Sequence, residues 1–484
     1  MDMQQAKKLL IRIAVVFVAL ALMIYLIAFD QFRQTKVTSD ALTPSAVTAE
    51  LVDGMELRQK LTVPGDTLSS FELMADPFDR QNAGTLHLTF ETADGSVVAE
   101  ESVEVSALPS AAYTAFELAE PIKGLRGEAL YLAIRSEGCA PGSGVAFYFG
   151  NTVMAGKFDL IKQIPQDELY TLNGESGLGS LCIRLKGAND LSFYKFYWLI
   201  VGVIFAIGLA YTLRCLKQAE EGKNNLIVLV CTILCRYRFL LQQLVARDFK
   251  KKYKRSVLGM AWSFLNPLMT MVVEYVIFST LFRSDTPNYA VYLLTGIVFF
   301  NFFSESINIG LTSITDNASL IKKVYMPKYI YPISCVASST VNFLLAFIPL
   351  LLVMLFTGSR FSFSILLLVY DFVCLFGFVT GMVLFLSALM TFFQDVKFLW
   401  GVLSMIWMYA TPIFYTENII PANLLPIFHM NPMYQYITFA RICLIDGVSP
   451  APTAYLWCML CAVVVLFIGA WFFRKKQDEF ILYL

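Results

Sequence analysis

The chain has 484 residues, 57% of them hydrophobic and only 15% charged, and its apolar residues run in blocks far longer than a soluble core uses. Lys plus Arg and Asp plus Glu number 37 each, so no net basic field exists to recruit nucleic acid. Two histidines, His87 and His429, and ten cysteines that offer no two C-x-x-C pairs at the spacing of a zinc site argue against a metal-dependent centre.

Lys7, Lys8 and Arg12 precede an apolar run from Ile13 to Phe29. No small-x-small cleavage pattern follows, so residues 1–29 read as a cytosolic N-terminus and an uncleaved anchor rather than a secretory signal. Residues 30–195 change character: short alternating runs such as Leu86–Glu91, Glu128–Ser136 and Val145–Phe149 are broken by Gly, Pro and Asp. That pattern predicts an all-β sandwich domain inserted between two membrane helices. Its aromatics Tyr113, Phe116, Tyr131, Phe147, Tyr148 and Phe149 either offer faces to sugar rings or fill the core. Cys139 and Cys182 form a candidate disulfide if that domain lies in an oxidising space.

Residues 196–216 predict the returning span, and the Lys/Arg-rich segment after it marks the cytosolic side. Within the linker 217–256, residues 225–235 are apolar but too short to cross. Tyr237–Ser256 has a helical pattern, with Leu241, Val245, Phe249 and Tyr253 on one face beside Leu240 and Leu244. A basic amphipathic helix on the inner membrane surface fits this pattern, and a plain lipid anchor fits it too. In 257–484, six spans are predicted near 258–282, 290–312, 332–356, 362–392, 397–416 and 453–473. The fold class is therefore an α-helical integral membrane protein of about eight transmembrane helices, located in the cytoplasmic membrane, with residues 30–195 extracytoplasmic. Two apolar pieces near 423–430 and 433–445, bounded by prolines, read as re-entrant half-helices.

The loop Asp316–Lys328 mixes three lysines with Leu320, Ile321, Val324 and Tyr325. Apolar side chains shown to water ask for a partner protein, although packing against the membrane competes as an explanation. Glu274, Glu305 and Asp371 fall inside predicted spans, where a carboxyl group faces a cavity, a partner or a wet boundary. The run Phe299–Phe303, with Trp262, Tyr275 and Trp407, supplies candidate channel-lining aromatics, which equally suit helix contacts. No G-x-x-x-x-G-K-[ST] motif is present to cradle ATP phosphates.

Seven motifs then occur in order: Arg247-Asp-Phe-Lys with Tyr253–Gly259, Trp262–Pro267 with Val276–Ser279, Asn317–Pro327, Gln394–Lys397, Thr411–Tyr415, Asn431-Pro432 with Arg441 and Asp446-Gly447, and Phe473–Phe480. Through them residues 237–484 resemble the polysaccharide and polyol-phosphate (O-antigen, teichoic acid) export permeases of the type-two ABC transporter superfamily. The resemblance implies a non-enzymatic permease subunit working as a homodimer around a central channel. Two copies of a separate ATPase would carry ATP and Mg, and a lipid-linked glycan polymer would be the cargo. It also implies that Asn317, Leu320, Ile321, Lys322, Lys323, Tyr325 and Pro327 form the ATPase-coupling helix. Arg247, Lys254 and Arg255 would then meet a lipid pyrophosphate at the entrance. The first 236 residues are an addition to that pattern. A drug or small-lipid exporter, a membrane glycosyltransferase and a membrane-anchored glycan sensor are the alternatives, and a neighbouring ATPase gene would discriminate among them.

Overall fold

The computed structural model describes residues 3–39, 42–78, 80, 82–124, 129–155, 158–161, 168–191, 193–220, 237–253, 259, 261–282, 288–323, 326–359, 361–415, 420 and 424–483. The chain divides into two units, Met1–Gln31 with Phe193–Leu484, and Phe32–Ser192.

The smaller unit is β-rich. One antiparallel sheet is built on Thr67–Asp76, which pairs with Ile183–Asp190 on one side and Ala112–Lys123 on the other. The second sheet centres on Ala129–Glu137, paired with Glu56–Thr62 and Thr85–Thr92. Alternation does the sorting. In Glu56–Thr62 the side chains of Leu57, Gln59 and Leu61 turn inward while Arg58 and Lys60 turn out. Leu57, Leu86, Phe90 and Leu132 share one core with Leu68, Phe71, Leu73 and Phe147 of the first sheet, and the Phe71 and Phe90 rings meet edge-on at 5.0 Å. Buried Gln59 is satisfied by bonding to the strand Ser180–Leu181, where the Leu181 amide donates to Gln59 Oε1 at 2.8 Å.

The larger unit is helical. Its main helices are α1 (Met3–Arg33), α2 (Phe193–Glu220), α3 (Arg238–Tyr253), α4 (Ala261–Phe282), α5 (Tyr289–Leu311), α6 (Ile330–Phe356), α7 (Leu368–Phe392), α8 (Val396–Tyr409), α9 (Pro432–Arg441) and α10 (Pro452–Lys476). α1 and α2 run antiparallel side by side. Phe17 meets Phe205 at 6.0 Å, Tyr25 meets Tyr197 at 5.3 Å, and the Tyr197 hydroxyl donates to the Ala21 carbonyl at 2.7 Å. α7 packs along α10, where Gly381 and Gly469 bring the two backbones together.

Among the described residues six helices are long and apolar enough to cross a membrane: Lys8–Arg33, Phe193–Gln218, Tyr289–Leu311, Ile330–Phe356, Phe363–Phe392 and Pro452–Lys476. Two more apolar helices stand where the sequence predicts two more full spans: α4, of which Phe264–Ile277 is the described apolar part, and the shorter α8, Val396–Tyr409. α8 has 14 residues and so reaches only about 21 Å. It stops at Tyr409 because Pro412 cannot continue it and biases Thr411 away from helix. The predicted half-helices appear as a short helix Leu425–His429 and as α9, which runs into one turn of π-helix, Ile442–Asp446. The apolar segment 225–235 lies outside the described residues.

Candidate functional site

A cleft of about 620 Å³ opens between α4, α5 and α6. α5 lines it with Asn301, Ser304, Glu305 and Asn308, spaced 3, 4 and 7 residues on from the first, which places all four along one helical face. α6 adds Ser339 and Asn342, and α4 adds Asn266 and the half-exposed ring of Trp262. Asn342 Nδ2 donates to Glu305 Oε1 at 2.7 Å. The Ser339 hydroxyl is buried and bonds to none of the described residues. Polar groups at this density on membrane-length helices are not turned to lipid, which would leave them unsatisfied. Glu305 was legible as a carboxyl group inside a span. The stripe around it was equally readable in Asn301-Phe-Phe-Ser-Glu-Ser-Ile-Asn308, had helical period been applied to the polar residues.

Of the aromatics expected to line a channel, Trp262 and Phe302 reach this cleft. Phe299 and Phe303 are wholly buried on the opposite face of α5. Phe299 meets Phe343 edge-on at 5.3 Å, and Phe303 packs on Phe378, Trp400 and Trp407. Trp407 is committed as well, its indole N–H donating to Asn431 Oδ1 at 2.8 Å. Tyr275 stands outside the cleft with its ring 6.0 Å from Tyr289. These rings hold helices together because α5 turns its aromatic face, one hundred and more degrees from the polar stripe, into the bundle. Of the other two intramembrane acids, Asp371 is fully buried in the first turn of α7, and neither of its oxygens bonds to the described residues. Glu274 leaves one oxygen, Oε2, in the same state.

Arg441, at the end of α9, is held by backbone carbonyls. Its guanidinium donates to Pro412 O at 2.7 Å, to Ile413 O at 3.1 Å and twice to Tyr292 O, at 3.2 and 3.3 Å. It also lies 3.4 Å from the centre of the Tyr292 ring. The Tyr289 hydroxyl donates to Phe414 O and the Tyr292 hydroxyl to Tyr415 O, so the turn Thr411–Tyr415 is tied to the start of α5 throughout. Asn431 closes the knot. It caps α9 by accepting from the Met433 amide at 3.0 Å and donates to Thr411 Oγ1 at 2.9 Å.

A second constellation joins the interfacial helix, the Asp316–Lys328 loop and the C-terminal tail. Leu244, Ile314, Ile321, Tyr331, Phe473 and Phe480 share one cluster, against which Tyr237, Leu240 and Leu320 pack. From α3 it is Leu244 that is buried in this cluster, with the partly buried Tyr237 and Leu240 beside it, while Leu241 and Val245 of the expected face are partly buried and the side chains of Phe249 and Tyr253 lie outside the described residues. Ile321, expected on an outward docking surface, is turned into the protein's own core, and Leu320 is half-buried beside it. The chain itself supplies the apolar partner that these side chains need. Left exposed are Asp316, Ser319, Lys322 and Lys323. Asn317 Nδ2 donates to Ser313 O at 2.8 Å, while Arg247 reaches Asn317 Oδ1 at 3.5 Å and pairs with Asp248 at 2.8 Å. Pro327 O accepts from the Ile330 amide at 3.2 Å, and Lys328 donates to Gln477 O. Tyr325, Lys254 and Arg255 lie outside the described residues.

In the β-rich unit Phe147 and Phe149 belong to the core, and Phe116 is stacked on Phe71 at 4.9 Å. Tyr113, Tyr131 and Tyr148 stay partly exposed, but Arg184 lies 4.0 Å over the Tyr113 ring and Arg58 lies 4.9 Å over Tyr131. Cys139 and Cys182, the candidate disulfide, are free thiols in different clusters, Cys139 in the main core and Cys182 beside Leu42 and Met74. Burial pushes the Cys182 thiol up to about 12 and raises Cys139 as well, helped by the nearby Asp53 carboxylate. A maleimide is therefore expected to label neither in the folded chain and both after denaturation. Rapid labelling of either one in the native protein would contradict this placement.

The sequence profile of the ABC-2 type transporter family matches residues 240–445, the stretch that contains the cleft, the Arg441 knot and most of the basal cluster. The O-antigen export system permease protein RfbA of Myxococcus xanthus is 29% identical over 251 residues, covering 51% of this chain and 96% of that protein. Two RfbA proteins of Klebsiella pneumoniae are 33% and 34% identical over 214 and 213 residues, each covering 43% of this chain and 81% of the relative. The match leaves the β-rich unit and its flanking helices as an addition, and it covers the cleft and the knot in full. The chain is thus a membrane permease subunit of the ABC-2 type transporter family, in the branch of the polysaccharide export permeases.

Proposed function

We propose that this permease carries a lipid-linked polysaccharide across the cytoplasmic membrane, driven by ATP hydrolysed on a separate subunit. The likeness to O-antigen export permeases over 81% to 96% of their lengths carries the reading. Two copies of the chain pair around a shared path, and each docks one ATPase that binds ATP and Mg. Lys7, Lys8 and Arg12, the lysines of 316–328 and Arg474–Lys476 put the matching helix ends in the cytosol. With α4 and α8 counted as crossings the chain spans eight times, and the β-rich unit, a sandwich of two sheets, lies outside. On this topology the cleft sits in the cytosolic half of α4, α5 and α6, where cargo enters, with Arg247 close to the lipid pyrophosphate. The exposed face of Asp316, Ser319, Lys322 and Lys323 meets the ATPase through charge, with Ile321 bracing it from behind.

Proteoliposomes holding the chain and its ATPase should move lipid-linked polysaccharide to the far leaflet only with ATP, read by lectin binding from that side. Lys322→Glu with Lys323→Glu should cut this movement several-fold while membrane insertion stays normal, since it reverses the docking charge without touching the core. Movement without ATP would sink the export reading. Wild-type transport by the double variant would sink the docking face alone.

A further inference from the structure

The short helix that presents Lys322 and Lys323 is held from behind by the far end of the chain. We infer that Phe480 is a positioning residue for ATPase coupling. Through it the tail Gln477–Tyr483 braces the helix Ala318–Lys323 against α7 and α10, so that force on the Lys322–Lys323 face reaches the membrane helices. This rests on the reading of that face as the ATPase docking surface, and it names what keeps the face in place.

Ala318–Lys323 has six residues. A helix that short does not persist on its own hydrogen bonds, so what it packs on sets its geometry. At its start Asn317 Nδ2 donates to Ser313 O at 2.8 Å, and Ile314 and Ile321 enter the basal cluster. Beyond its end the chain is tied to the tail. Lys328 Nζ donates to Gln477 O, the carbonyl that also accepts from the Phe480 amide at 3.4 Å. The Lys328 ammonium lies 5.8 Å over the Phe480 ring.

Phe480 is the buried anchor of that tail. It is 0% exposed, whereas its successors Ile481, Leu482 and Tyr483 are 54%, 82% and 59% exposed. Its ring meets Phe473 of α10 edge-on at 5.2 Å and Phe392 of α7 at 5.8 Å. Tyr483 adds a more exposed contact to Phe392, at 4.8 Å. Leu384, Ala388 and Phe392 recur every fourth residue, so the cluster follows one face of α7 to its last residue, just before the chain turns into α8. Lys476 pairs with Glu479 at 2.9 Å and closes the turn that presents Phe480. The one ring thus meets both membrane helices and the segment that follows the docking helix. Close-packed side chains are barely compressible, so a displacement of one is passed to the next.

The test uses the full chain with its ATPase in proteoliposomes. It reads lipid-linked polysaccharide molecules moved per ATP hydrolysed, beside Tm and the amount of ATPase retained. Phe480→Ala should lower that ratio about fivefold with the ATPase still retained. Phe480→Leu keeps most of the buried volume and should restore the ratio to within about twofold of wild type. Lys328→Met removes the tie to Gln477 O without opening the core and should lower the ratio about threefold, which keeps the inference testable should Phe480→Ala not fold. Combined with Lys322→Glu and Lys323→Glu, Lys328→Met should cost nothing beyond the charge reversal, because the brace acts through that face. Leu482→Ala, on the exposed side of the tail, should match wild type. Tm, hydrolysis and transport falling together at an unchanged ratio in Phe480→Ala and Lys328→Met would make the tail ordinary packing and overturn the inference. Additive losses overturn it too, as does a Leu482→Ala defect as large as that of Phe480→Ala, which would make the tail itself the docking surface. Wild-type transport by the charge-reversed variant removes the docking reading beneath it, and a wild type that moves no cargo with ATP removes the export reading as well.

Discussion

Replacing Arg441 with Ala is expected to abolish export and to strip the chain from detergent extracts as folded protein. Four charge-assisted hydrogen bonds to carbonyls of Tyr292, Pro412 and Ile413 disappear together. The bonds to Pro412 O and Ile413 O are buried, and each buried acceptor left without a partner costs about 1–3 kcal/mol. Partial relaxation brings the expected loss to about 3–5 kcal/mol. Arg441→Lys separates charge from geometry. An ammonium group restores the charge, but it cannot span three carbonyls and stack on Tyr292 as a planar fork does. That variant should fold, with a lowered Tm and reduced transport. Gly296 constrains the same place, because a Cβ there would lie 2.9 Å from the Arg441 guanidinium and from Ile413. Thermal unfolding followed by fluorescence-detected size exclusion checks both variants. An Arg441→Ala chain with wild-type Tm would mean that the turn Thr411–Tyr415 stands without its pin.

What was readable beforehand divides along physical lines. Long apolar blocks located the membrane helices because insertion depends on local composition, and alternation located the strands of the β-rich unit because side-chain direction in a strand is local too. Which face of a helix meets which neighbour is set by tertiary packing. For that reason Phe299 and Phe303 read as channel lining although α5 turns them inward, and Ile321 read as a docking residue although Leu244, Tyr331 and Phe480, distant in sequence, cover it. Composition offered no hint of that cover, since an apolar side chain in a basic loop looks the same whether its partner is another protein or its own C-terminus. Arg441 and Asn431 were singled out by resemblance alone. Their roles, a guanidinium on carbonyls and an amide capping α9, depend on backbone positions that no spacing rule specifies. The cysteines erred in a different way. An even pair suggested a bridge, but both are free thiols and they sit in different clusters.

One packing signal was present in the sequence and went unused: Gly377-Phe-Val-Thr-Gly381, the small-xxx-small pattern with which membrane helices approach closely. The structure shows that its two glycines are unequal. A Cβ at Gly377 would meet Ala462 Cβ at 3.7 Å, an ordinary contact, whereas a Cβ at Gly381 would fall 2.5 Å from the carbonyl carbon and oxygen of Val465. Opposite, a Cβ at Gly469 would fall 2.0 Å from the Gly381 oxygen. The atoms in the way at Gly381 and Gly469 are backbone, so no rotamer change relieves the overlap and α7 must move off α10. Gly377→Ala should therefore leave Tm and transport near wild type. Gly381→Ala and Gly469→Ala should each cost about 1–3 kcal/mol, the range for overpacking a close contact, and leucine at either site should prevent assembly. Because α7 also carries Leu384 and Ala388 into the basal cluster, and α10 carries Phe473, the displacement should reach the Lys322–Lys323 face. Coupling to the ATPase should then fall more than cargo-independent insertion does. The measurement is a parallel Tm and transport series across the three alanine variants. Equal behaviour of Gly377→Ala and Gly381→Ala would show that the two helices are not in contact at this point in the working transporter.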